Sequence, residues 1–330
     1  MKQSLTQLNT LGVKSQCDEL LVISELNALV DAVGRCQHNK RPMTLIGGGS
    51  NIVLRSLLEG TVINVGLKGI EFDEESGQVT VGAGENWHNL VSTTIRQGWT
   101  GLENLSLIPG SVGAAPIQNI GAYGVELADR FVSLEAINIE TGERQTLDRE
   151  ACQFGYRASV LKETRNYVVL SVCLQLSRDA ELNISYPELK NHLEQTVSGR
   201  PTAQDIAQSV ITVRKNKLPD VHEIGNAGSF FKNPMVTLTE RDKIQDKISL
   251  DAYSTAGGRY KISAARLIDE CGWKGKSRYG VGVWHKQPLV LINENTDKGE
   301  DFLSMAHDIS TSVEDKFGVT LEIEPVILGS

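Results

Sequence analysis

The sixteen residues from Pro109 to Gly124, reading Pro-Gly-Ser-Val-Gly-Ala-Ala-Pro-Ile-Gln-Asn-Ile-Gly-Ala-Tyr-Gly, constrain the fold more than any other part of the chain. Most are small, so the stretch cannot build a core of its own, while Val112, Ile117 and Ile120 make it more apolar than a disordered linker. It reads as an ordered loop laid against the rest of the fold, whose small side chains let a flat ligand lie against main chain, with Asn119 placed to hydrogen-bond it. A second loop, Leu45-Ile46-Gly47-Gly48-Gly49-Ser50-Asn51, sets three glycines directly after a short apolar run, where bare backbone N–H groups can approach a phosphate. It is not the dinucleotide fingerprint, because Ile52 fills the third glycine slot counted from Gly47; Gly82-x-Gly84 fails likewise at Trp87, and no Walker A pattern exists.

Periodicity sketches the frame. Leu26, Leu29, Val30 and Val33 share one helical face with Ser24 as the expected cap, and a strand follows at Met43 to Ile46. Trp87, Leu90, Val91, Thr94 and Ile95 mark a second helix that Gly98 ends in a left-handed cap. Val62–Val65 and Val79–Ala83 read as strands, as do two runs between Phe131 and Leu147 joined at Thr141-Gly142. Val168, Leu170, Val172, Leu174 and Leu176 alternate along one further strand. Past Tyr186-Pro187 the pattern shifts: Thr202-x-x-Asp205 resembles a capping box ahead of Ile206, Val210 and Val213. The last third predicts a helix from Ser263 to Cys271 stopped by Gly272, a strand at Leu289–Ile292, a helix from Asp301 to Phe317 and a final strand from Leu321 to Leu328. The layout is α+β.

Composition narrows the class. A chain of 330 residues exceeds one ordinary core and implies two or three domains. A formal charge of −8, from 33 basic and 41 acidic residues, argues against sequence-independent nucleic-acid binding. Five cysteines, at positions 17, 36, 152, 173 and 271, form no CxxC pair and suggest neither a disulfide framework nor a metal site. The segment from Met1 to Gln16 has no apolar targeting core and no apolar run is long enough to span a bilayer, so the expectation is a cytoplasmic protein.

Three further stretches complete a recognisable set: Cys152-Gln153-Phe154-Gly155-Tyr156-Arg157-Ala158-Ser159, Gly225-Asn226-Ala227-Gly228-Ser229-Phe230-Phe231-Lys232-Asn233-Pro234, and Leu321-Glu322-Ile323-Glu324. In this order, after the two glycine-rich loops, they resemble the signatures of the UDP-N-acetylenolpyruvoylglucosamine reductase (UDP-N-acetylmuramate dehydrogenase) family, in the form with a tyrosine-bearing substrate loop. The resemblance implies a FAD-binding domain of the PCMH/vanillyl-alcohol-oxidase type, built of two α+β subdomains, plus a C-terminal α+β substrate domain. It implies bounds of 13–180 for the flavin domain, 181–215 for the substrate loop and connecting helix, 216–318 for the substrate domain and 319–330 for a strand returning to the active site. The implied activity is reduction of an enolpyruvyl ether on a UDP-sugar with NADPH through non-covalent FAD, in peptidoglycan precursor synthesis. The implied cofactor contacts are Gly47, Gly48, Gly49, Ser50 and Asn51 in the first loop, and Gly110, Ser111, Gly113, Ala115, Pro116, Asn119, Gly121 and Ala122 in the second. The implied partners are the UDP-sugar and NADPH, with no nucleic acid or membrane and a monomeric chain.

The residues meet that chemistry on their own terms. Hydride arriving at the terminal carbon of an unsaturated carboxylate pushes negative charge onto the α-carbon and carboxylate, so the site needs a cation and a proton donor. Arg157 fits the cation role, since a guanidinium holds a carboxylate through two parallel hydrogen bonds. Glu324 fits a general acid or protonated partner across from it, which requires burial or a neighbouring negative charge. Ser229 fits the proton donor, helped by positive charge from Lys217 or Lys232. Arg214, Lys215, Lys217 and Lys232 offer local positive charge for a diphosphate. Tyr186 resembles the family's loop tyrosine, and Asn233 and Gln287 resemble further substrate contacts. The chain departs from the family pattern at Gly275–His285, which is longer and bulkier than the usual turn, at Pro325 and at Ala158. A looser resemblance to flavin oxidases of sugars and alcohols gives a second reading. No histidine lies in Leu45–Leu54 or Pro109–Gly124 to tether flavin, so the flavin is expected to be removable. A nucleotide-sugar-binding regulator without turnover is a third.

Overall fold

A computed structural model describes residues 2–255 and 257–329. It resolves into two compact, interleaved units: the first holds the chain up to Gln3, Cys17–Gly48 and Glu59–Lys215, the second Ser4–Gln16, Gly49–Leu58 and Asn216 onward.

In the first unit, the helix Leu26–His38 buries Leu29, Ala32 and Val33 against Ile63, Ile137, Val168 and Leu170. Its cap position is Glu25, in extended backbone and without a side-chain capping bond, so Ser24 is not the cap. The strand Met43–Ile46 lies parallel to Leu57–Val65, with Leu45 opposite Ile63, and ends at Gly47. A five-stranded antiparallel sheet runs in the order Arg144–Asp148, Phe131–Asn138, Tyr167–Gln175, Gln78–Gly82, Ile70–Asp73. The helix Trp87–Arg96 packs Trp87, Leu90 and Val91 into its core, capped by Asn86 and closed by left-handed Gly98.

The alternation from Val168 to Leu176 does not mark a single face. The register slips between Glu135 and Ala136, which pair with Ser171 and Val169 and leave Leu170 as the extra residue of a bulge. A bulge reverses the side-chain parity of a strand. Val168 and Leu170 therefore fall in the smaller core with Leu29, and Val172, Leu174 and Leu176 in the larger core with Trp87.

The unit ends in a helical pair, Pro187–Thr196 and Ala203–Lys217, packed through Leu189, Leu193, Ile206 and Val210 with Tyr123 against them. Thr202 and Asp205 exchange the reciprocal bonds of a capping box. The helix Pro187–Thr196 has only two buried leucines one turn apart, too faint a period to read in the sequence.

In the second unit an antiparallel sheet runs Asn226–Ser229, Val290–Asn293, Val281–Val283, Ser277–Arg278. The bulky Gly275–His285 stretch forms its outer hairpin, turning through Tyr279 and Gly280, both at positive φ. The helix Gly299–Phe317 buries Phe302, Met305, Ala306, Ile309 and Val313, and Phe302 stacks on Phe230 with ring centroids 6.1 Å apart. The expected strand Leu321–Leu328 is split. Only Val326–Leu328 pairs, parallel to Ile52–Leu54, while Ile323 bridges to Phe231. Pro325 lies at the break, having no N–H for a ladder.

Trp87 is 1% exposed, and its indole Nε1 donates to the carbonyl of Leu105 at 3.0 Å. Trp87→Ala is expected to destabilise the protein by about 3–5 kcal/mol, read from urea unfolding at constant m-value; a loss under 1 kcal/mol would contradict this account of the core.

Candidate active site

Two glycine-rich segments of the first unit meet back to back. A Cβ on Gly48 would stand 2.7 Å from the Cα of Gly110, and one on Gly47 2.5 Å from the Oγ of Ser111. Gly48 admits no side chain without moving backbone, while at Gly47 the Ser111 hydroxyl would have to turn away. The Pro109–Gly124 segment is ordered. Trp87 N–H donates to Gly110 O at 3.1 Å, Val112 N–H to Glu85 O at 2.8 Å and Gly113 N–H to Ala83 O at 2.8 Å. A 3-10 helix then covers Val112–Gln118, with Ala115 and Pro116 buried. Gly121–Ala122 pairs with Val125–Glu126 around Tyr123 and Gly124, both at positive φ. The first loop continues past the unit boundary. In the second unit Gly49, at φ +65, lies where a Cβ would sit 2.0 Å from the carbonyl of Leu8, and Asn51 O accepts from Val326 N–H at 3.0 Å. Ser50 lies between them.

Asn119, expected at a ligand, is fully buried and its side chain is engaged within the protein. Nδ2 donates to Glu126 Oε2 at 2.8 Å and to Gly155 O at 3.2 Å, and Oδ1 accepts from Ala128 N–H at 2.9 Å. Its left-handed backbone, at φ 44, ends the 3-10 helix. The residue ties the small-residue loop to the 155–158 turn.

That turn presents Arg157. Gly155 and Ala158 exchange backbone hydrogen bonds of 3.0 and 3.2 Å, leaving Tyr156 and Arg157 at the tip. Arg157 has φ 54, a conformation costing a non-glycine residue of order 1–3 kcal/mol, which the surrounding structure must hold in place. Nη2 of Arg157 donates to the carbonyl of Gly121 at 2.8 Å, so the second loop grips the guanidinium directly. Ser159 locks the other side, donating to Ile117 O at 2.6 Å and capping the next helix.

Around Arg157 the unit gathers charge and aromatic rings. Burial draws the Arg214 guanidinium below its usual range, opposed by Tyr123 and reinforced by the charge of Arg157. Arg214 Nε is buried with no hydrogen-bond partner. Burial pushes the Tyr123 phenol up to about 12. Burial and then the charges of Arg214 and Lys215 lower His88, whose Nδ1 accepts from Leu107 N–H at 3.1 Å. Tyr186, 41% exposed, sets its ring edge-on to Tyr123 with centroids 5.2 Å apart. The sequence pattern does not single out Tyr123 or His88; the available signal is that Tyr123 is the one aromatic side chain between Pro109 and Gly124.

In the second unit, Ser229 ends the strand Asn226–Ser229 opposite Val290. Gly228, at φ +68, donates its N–H to Asn226 Oδ1 at 3.0 Å. Phe230 and Phe231 are buried and anchor the segment. The chain end runs beside it: Lys232 N–H donates to Glu322 O at 2.9 Å and Glu324 N–H to Phe230 O at 3.0 Å. Ser229 and Glu324, 95 positions apart in the sequence, are thereby carried on adjacent, hydrogen-bonded segments, with Glu324 buried. The Lys232 ammonium is paired with the Glu322 carboxylate. Lys217 O accepts from the Trp284 indole at 2.9 Å, Asn233 Oδ1 accepts the Ala264 N–H at 3.0 Å, and Gln287 lies in the turn that returns to Val290. Arg157 belongs to the first unit and Ser229 and Glu324 to the second.

The fold, with two glycine-rich segments meeting in the first unit, is that of a flavoprotein. Accordingly, a family model described as "FAD binding domain" matches residues 20–148, and the model "UDP-N-acetylenolpyruvoylglucosamine reductase, C-terminal domain" matches residues 219–328. The chain is 44% identical over 296 residues to the UDP-N-acetylenolpyruvoylglucosamine reductase of Ralstonia nicotianae, covering 87% of this chain and 86% of that one. It is 41% identical over 332 residues to the protein of the same name in Bordetella pertussis, covering 99% and 94%. Among solved structures, the UDP-N-acetylenolpyruvylglucosamine reductase of Thermus caldophilus superposes with a TM-score of 0.69 at 24% identity over the full length of both chains, which supports the fold. The chain belongs to the UDP-N-acetylenolpyruvoylglucosamine reductase family. Relatives of that name match across both units, which does not favour the oxidase reading. Among the described residues no helix is long and apolar enough to cross a membrane.

The residues present fit the flavin: the close approach of Gly48 to the backbone of Gly110 and Ser111 leaves main chain as the lining. Gly48→Ala is expected to purify with less than half a mole of FAD per mole of chain, measured by flavin absorbance after denaturation. Full flavin content would contradict the cradle.

Proposed function

We infer that this chain catalyses FAD-dependent reduction of the enolpyruvyl ether of UDP-N-acetylglucosamine to the lactyl ether of UDP-N-acetylmuramate with NADPH, a step of peptidoglycan precursor synthesis. The observation that carries the reading is identity of 41% with a reductase of that name over 99% of the chain, spanning flavin and substrate domains together. Held by the glycine-rich segments around Gly48 and Gly110, FAD would supply hydride-transfer chemistry between NADPH and the terminal carbon of the enolpyruvyl group.

We assign the remaining work to side chains. Arg157 binds the substrate carboxylate, and its benefit grows as negative charge develops there, because the guanidinium is already held by Gly121 before reaction. Ser229 gives its hydroxyl proton to the α-carbon. A serine is a weak acid, and positive charge from Lys217 or Lys232 would help it. Glu324, buried, serves as the acid or protonated partner on the carboxylate side. Arg214 and Tyr186 receive the diphosphate, and Asn233 and Gln287 the rest of the UDP-sugar. Gly47, Gly48, Gly49, Ser50, Asn51, Gly110, Ser111, Gly113, Gly121 and Ala122 line the flavin; Ala115, Pro116 and Asn119 hold that lining from behind. The flavin is non-covalent, and the enzyme acts in the cytoplasm as a monomer.

Anaerobic stopped-flow separates the half-reactions. In the wild type, flavin colour is expected to bleach with NADPH and return with the enolpyruvyl UDP-sugar. In Ser229→Ala, bleaching stays close to wild type while the return of colour slows by about 10²-fold. Equal slowing of both halves would remove Ser229 from the donor role, and colour returning only with oxygen would overturn the reductase reading.

A further inference from the structure

The turn that grips Arg157 and the loop that carries Tyr186 are joined by one buried amide. Asn104 lies in the 3-10 turn Glu103–Leu105 and is 1% exposed. Its Nδ2 donates to the carbonyl of Tyr123 at 2.9 Å and to the carbonyl of Asn183 at 2.9 Å, using both amide hydrogens. The link is returned: Asn183 Nδ2 donates to Gly124 O at 3.1 Å. Asn183 Oδ1 accepts from Ser185 N–H at 3.0 Å and from the Ser185 hydroxyl at 2.7 Å, which shapes the turn running into Tyr186. Tyr186 then meets the ring of Tyr123, the residue whose carbonyl Asn104 holds. Two amides thus fix one tyrosine against another.

We infer that Asn104 is a positioning residue for the UDP-sugar diphosphate, acting by holding the Tyr123 and Asn183 carbonyls so that the Tyr186 ring is presented in one place. The inference deepens the assignment of Tyr186 above and rests on it. The chemistry at this position is specific to a planar donor of two hydrogens. Aspartate would turn carboxylate oxygens toward two carbonyl oxygens, and alanine would leave two part-buried carbonyls without this donor. A side chain that served only to fill the core would move stability and flavin content; one that places Tyr186 moves diphosphate affinity and does so only while Tyr186 is present.

Isothermal titration calorimetry with UDP on the flavin-loaded protein makes the distinction. Asn104→Ala is expected to weaken UDP binding by about tenfold, equivalent to about 1.4 kcal/mol, with FAD content and NADPH bleaching as in wild type. In a Tyr186→Ala background the same change is expected to cost nothing further. Should Asn104→Ala fail to fold, Asn183→Ala carries the test, with a smaller loss of UDP affinity that likewise vanishes without Tyr186. Losses that multiply in the double variant, or unchanged UDP affinity with falling FAD content, overturn the inference alone. Absence of UDP binding by the wild type overturns the substrate reading and this inference with it.

Discussion

The alignment of residues 230–232 with 322–324 is the constraint on which the chemistry of the second unit depends. Ser229 and Glu324 lie almost a hundred residues apart, and neither has a local reason to be near the other. The backbone bonds from Lys232 to Glu322 and from Glu324 to Phe230 bring them together, and the buried rings of Phe230 and Phe231 keep that pairing from sliding. A one-residue slip would reverse which side chains point to each side of the pairing. Pro325 ends the pairing immediately after Glu324 and sends the chain to its parallel partner at Ile52–Leu54.

In the first unit the equivalent constraint is an approach of two backbones too close for any side chain. Gly48 against Gly110 and Ser111 produces a lining of main chain, suited to a phosphate-bearing cofactor. The same loop then reaches forward through Gly121 to the Arg157 guanidinium and through Tyr123 to Tyr186. The proposed cofactor cradle, carboxylate cation and diphosphate loop are therefore one connected piece of structure, and the left-handed backbone at Asn119, Tyr123 and Arg157 marks where it bends.

Much of this was legible in the sequence because it is local. The small-residue loop, the glycine run after a strand, the helix faces at Leu29 and Trp87 and the capping box at Thr202 each declare themselves within a few residues. What escaped was set by distant partners. The bulge at Leu170 leaves an unbroken alternation in the sequence and splits it between two cores. Asn119 looked like a ligand contact because it sits in a ligand-like loop, yet Glu126, Gly155 and Ala128 consume its side chain. Asn104 had no signal at all, since its importance lies in two carbonyls contributed from 19 and 79 positions away. The interleaving that gives residues 4–16 and 49–58 to the second unit has no trace in composition.

The central claim is that the α-carbon of the substrate receives its proton from a fixed side chain rather than from water. Turnover in D₂O, with the product analysed by nuclear magnetic resonance, tests it most directly. The account requires a single deuteron at the α-carbon of the lactyl ether in one configuration throughout the product. A mixture of the two configurations would mean protonation from bulk solvent and would contradict it.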